Sequence, residues 1–119
     1  MSINDAREVE KNIAVQLVRQ ILRQGFTISV FDSEEMALVD SRDEAEILEA
    51  MCTADDDRLY VGGTERIGSF WLIYGNGEDL ISDWSWNASV ATSKQIMDQI
   101  NDDTVYAVAH PEPVVTPVA

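Results

Sequence analysis

Few residues in this chain are equipped for covalent or acid–base chemistry. There is one histidine, His110, and one cysteine, Cys52. His110 stands beside the three prolines, in a segment expected to be extended, and a Ser-His-Asp or Cys-His arrangement would require that segment to fold back. Cys52 falls on the apolar side of an expected helix, where cysteine usually acts as a small hydrophobe. One histidine and one cysteine cannot build a structural zinc site. Asp55-Asp56-Asp57 offers hard-cation ligands but lacks the alternate spacing, central glycine and distal glutamate of a calcium loop. Gly62-Gly63 and Gly75-Asn76-Gly77 match no phosphate-binding fingerprint, no lysine follows them, and they read as turns. The 22 acids admit many carboxylate pairs, but 119 residues is very small for a glycosidase. No catalytic, cofactor-binding or metal-binding residue is expected.

Carboxylate is the chemistry the chain has in quantity. Twenty-two acids against eight bases give a net charge of −14. Such a surface repels nucleic acid and anionic membranes and attracts basic proteins, including those that bind nucleic acids. The charge is uneven. Residues 1–25 hold three acids and four bases, whereas residues 32–57 hold eleven acids and one base, Arg42. Clustering of this kind costs stability through self-repulsion, and its retention favours a functional surface over simple solubility. The candidate partner-binding carboxylates are therefore Asp32, Glu34, Glu35, Asp43, Glu46, Glu49, Asp55, Asp56 and Asp57. Trp71, Trp84 and Trp86 join them as interface anchors within an aromatic-rich stretch.

The elements that must position these residues are legible as periodicities. Val9, Ile13, Leu17 and Ile21 mark an amphipathic helix over 5–24, with Ser2 or Asn4 as cap and Gly25 as terminator. Residues 26–30 alternate as a half-buried strand, 32–35 turn, and 36–39 return as a hairpin partner. Ser41 and Glu44 form an expected capping box for a second helix over 42–52. Residues 58–61, 66–74 and 80–84 read as three strands joined by glycine turns, the middle one apolar enough to be buried on both faces. Residues 94–100 form a third helix. Val105 to Val108 reads as a further short strand, and the rest as an extended proline-containing tail.

The expected architecture is α+β, in the order α-β-β-α-β-β-β-α: a five-stranded, mostly antiparallel sheet with helices on one face. One domain spans 1–104 and a tail spans 105–119. Globular composition, no intramolecular disulfide, no secretory signal and no apolar run near the roughly 20 residues of a membrane span point to the cytoplasm.

The opening helix ending in Gly25, then Thr27-Ile28-Ser29-Val30-Phe31-Asp32, Ser41-Arg42-Asp43, Ile67-Gly68, Leu72 to Gly77 and Asp79 to Asp83 resembles a family of small acidic proteins of unassigned function from bacteriophages and proteobacteria. The resemblance covers about residues 5–87, carries no functional residues, and implies a mobile-element setting. Two functions follow as expectations. One is a non-enzymatic module whose carboxylates mimic nucleic-acid charge against a basic partner, as a phage counter-defence inhibitor would. The other is a structural or accessory subunit that uses the aromatic sheet and tail as interface. Homo-oligomerisation is compatible with either.

Overall fold

Apolar residues at three- and four-residue spacing wind the first helix, α1 (Glu8–Arg23), and bury Ile13, Ala14, Leu17, Val18 and Ile21 in a single stripe. A computed structural model describes residues 2–63 and 65–111. The helix starts later than its periodicity predicts, because Ile3–Asp5 forms a separate 3₁₀ turn. There the Ser2 hydroxyl accepts the Asn4 N–H while the Asp5 carboxylate accepts the Ser2 N–H. Five strands follow: β1 (Ile28–Phe31), β2 (Met36–Ser41), β3 (Asp56–Val61), β4 (Gly68–Ile73) and β5 (Ile81–Trp86). Helix α2 (Glu44–Ala50) lies between β2 and β3, and α3 (Ser93–Ala109) follows β5.

The sheet order is β2-β1-β3-β4-β5 and every pairing is antiparallel. The expected element order and α+β class are observed. Period-two alternation turns Ile28, Val30, Leu59, Val61, Phe70 and Leu72 toward the helices, where all are fully buried. Gly68 is required by this packing. A Cβ there would collide with the Ser85 carbonyl and sit 2.8 Å from the Met97 methyl of α3.

Three local expectations change. The Ser41–Glu44 capping box does not form: Asp43 caps α2 by accepting the Glu46 N–H, and the Ser41 hydroxyl accepts the Asp43 N–H instead. Strand β4 is covered on one face only, since Trp71 points away from the helices and is 36% exposed. Residues 105–108 are helical. Valine and tyrosine favour strands locally, but Met97, Ile100 and Thr104 set a helical stripe, buried by packing, that carries α3 on to Ala109. The segment expected to begin a tail thus starts as ordered helix, and residues 112–119 lie outside the described residues.

Candidate functional site

Antiparallel pairing decides where the acids go. Phe31 stands opposite Arg58, Asp56 opposite Ile73, and Leu72 opposite Ile81. The β1–β2 turn, the α2–β3 connection and the β4–β5 turn therefore meet at one end of the sheet. These three connections carry Asp32, Glu34, Glu35, Asp55, Glu78 and Asp79, and no lysine or arginine. All but Asp32 are exposed.

Inward-facing polar groups hold this end together. Glu10 sits in the buried stripe of α1 at 2% exposure. Its Oε2 accepts the Gly75 N–H at 2.8 Å and the Gly77 N–H at 2.9 Å, pinning the β4–β5 turn to α1. The glycine turn does cradle an anion, but that anion is the protein's own side chain. The Tyr74 N–H donates to the Asp55 carbonyl, joining two of the connections. Asp32 Oδ1 accepts from the backbone of Glu34 and Glu35, shaping the hairpin turn around Ser33.

Asp57 is a correction to the expected surface set. It is the second residue of β3, and the alternation Asp57-Leu59-Val61 turns it into the core, fully buried. Its Oδ2 accepts the Cys52 N–H at 2.8 Å and a short bond from the Tyr74 hydroxyl, while Oδ1 has no partner among the described residues. Burial raises the Asp57 carboxyl above the ordinary range, only partly offset by the bonds from Tyr74 and Cys52. Burial and then the Asp57 charge push the Tyr74 hydroxyl far up. Burial, Asp57 and Glu10 also raise the Cys52 thiol, which keeps it protonated, the reverse of an activated nucleophile.

Other expected site residues separate. Glu46 and Glu49 are exposed on α2, whereas Asp55 and Asp56 belong to the acidic end. Asp43 lies at the opposite end and caps α2. Asp56 accepts the Trp71 indole N–H at 2.9 Å, and Arg58 lies 5.7 Å from that ring's centroid. Trp84 turns toward α3, its indole N–H held by Asp98 at 3.0 Å and its ring against the core. The Lys94 and Trp84 bonds in turn lower the Asp98 carboxyl. Trp86 is 45% exposed with Lys94 over its ring. The three tryptophans thus do not form one surface. His110 ends α3, stacked on Tyr106 at 4.2 Å. No group of three or more His, Cys, Asp or Glu placed to hold a metal occurs among the described residues.

Sequence reasoning missed Glu10, Glu78 and Asp79. Glu10 precedes Ile13, Ala14 and Leu17 at helical spacing, a signal that it shares their face. Glu78 and Asp79 lie more than 20 residues from the dense acidic run, and only the meander brings them to it. No helix among the described residues is long and apolar enough to cross a membrane. No family model, curated protein or solved structure matches the chain.

Proposed function

We propose that this chain is a non-enzymatic binding module that docks a basic protein surface against its acidic end. The observation that supports this reading is the convergence of three base-free connections, Asp32–Glu35, the stretch before β3 and Gly77–Asp79, on one side of the sheet. Exposed carboxylates on hydrogen-bonded turns present what a phosphate-binding groove is built to receive. The resemblance to phage and proteobacterial proteins adds a finer form: an inhibitor that occupies a nucleic-acid-binding site by charge mimicry. The test is capture from nuclease-treated host extract on immobilised protein. A basic protein should be retained in low salt, released near ~0.5 M salt, and not retained by a Glu35→Lys/Asp55→Lys/Glu78→Lys variant. Retention that ignores both salt and reversal would sink the reading.

A second reading draws on the uncovered sheet face. Trp71 with Arg58, and Tyr60 with Arg66 4.2 Å from its ring centroid, form an arginine–aromatic surface suited to assembly with another subunit or a second copy. Trp71→Ser should abolish concentration-dependent association in sedimentation if that face is the interface.

A further inference from the structure

Beside the acidic end lies a groove of about 620 Å³ between the first turns of α1, the β4–β5 turn and the last turns of α3. Val9, Ile13, Ile81, Trp84, Val105 and Val108 line it, and Glu78 and Asp79 stand at its rim. Its walls are fixed before any ligand arrives. Glu10 ties the turn to α1 through Gly75 and Gly77, and Asp98 holds the Trp84 ring by its indole N–H. This size is typical of sites that bury apolar groups. We propose that the groove takes apolar side chains from a basic segment of the partner, with lysine or arginine beside them meeting Glu78 and Asp79. The inference rests on the acidic-end reading and adds the partner's chemistry: an amphipathic basic segment rather than a uniformly charged surface.

The charge of the rim selects that occupant. An apolar segment bearing acids would be repelled by Glu78 and Asp79, and residues 112–119 begin with Glu112. Pro111, the last described residue, lies with Gln16, Arg19 and Gln20 in a different groove between α1 and α3. Pro111 therefore sits on the flank of α3 away from the apolar groove.

The test uses three labelled peptides of equal length, alternating leucine with lysine, serine with lysine, and leucine with glutamate, titrated into the full chain. The leucine–lysine peptide should bind about tenfold or more tightly than the serine–lysine peptide, the worth of burying one apolar side chain. It alone should shift the Trp84 indole N–H resonance. Val105→Gln, at a position 59% exposed and so compatible with folding, should abolish that advantage without adding charge. Equal binding of the two lysine peptides, with Trp84 unmoved, would overturn the groove while sparing the acidic end. Failure of both lysine peptides to bind in low salt would remove the acidic-end reading and the groove with it. Binding of the leucine–glutamate peptide as tight as that of leucine–lysine would overturn the charge selection. A chain ending at Pro111 that binds the leucine–lysine peptide about tenfold tighter would make residues 112–119 the occupant instead, and overturn the proposal.

Discussion

The two ends of the sheet are built from the same strands and differ in what their connections carry. At one end Asp32, Glu34, Glu35, Asp55, Glu78 and Asp79 gather without a base. At the other, Arg42 and Arg66 balance Asp43 and Glu65. The far end also uses its charges locally: Asp43 caps α2, and the Arg42 guanidinium donates to the Gly25 carbonyl at 2.9 Å. At the near end, Glu10 and Asp57 turn inward and Asp32 shapes the hairpin turn, while the exposed acids Glu34, Glu35, Asp55, Glu78 and Asp79 make no salt bridge among the described residues. The contrast separates acids that fold the chain from acids free to meet a partner. Composition alone cannot make that distinction.

The largest expected effect comes from the inward pair. Glu10→Ala leaves the Gly75 and Gly77 N–H groups without their acceptor and should cost about 3 kcal/mol in urea unfolding. Glu10→Gln keeps an uncharged acceptor and should cost about 1 kcal/mol. A loss no larger than that of a surface substitution would mean that the near end is not held by this clamp.

Asp57 gives the next effect, visible as pH dependence. Burial raises its folded value above the unfolded one, so the protonated form favours folding. That contribution is complete below the unfolded value of about 3.9 and is lost as pH rises through the folded value. An amide in its place cannot ionise. Asp57→Asn should therefore gain stability relative to the parent as pH rises from 4 to 8, read by thermal melts in buffers of matched ionic strength. A parent that gains on the variant over that window would reverse the assignment.

The smallest effect concerns the exposed acids. Glu34→Lys with Glu78→Lys should raise stability by a few tenths of a kcal/mol in low salt, and the gain should vanish near ~1 M salt. Glu65→Lys, beside Arg66 at the balanced end, should bring no such gain. Equal responses at the two ends would erase the comparison.

Much of the fold was legible because periodicity reports burial directly. The stripe of α1 and the alternation around Val30, Leu59 and Phe70 each name their own buried face. The failures arose where tertiary context outweighs local preference. Val105 and Tyr106 favour a strand in isolation but extend a helix already fixed by Met97 and Ile100. Asp57 looked like the end of an acidic surface run, although carrying the Leu59–Val61 alternation back two residues lands on it. The candidate site was half legible. The acids of 32–35 and 55–56 were visible as a dense run, whereas Glu78 and Asp79 join them only through strand pairing. No local pattern encodes which turns of a meander share an end.

The most direct test of the acidic end as the binding surface is the affinity of the captured basic partner, followed against salt for three forms of the protein. The parent should weaken steeply as salt rises. Glu35→Lys/Asp55→Lys/Glu78→Lys should lose roughly 1–3 kcal/mol per charge if those contacts are desolvated, and its salt dependence should flatten. Glu65→Lys, at the balanced end, should bind as the parent does. Parent-like affinity in the near-end triple variant, unchanged from low to high salt, would contradict the account.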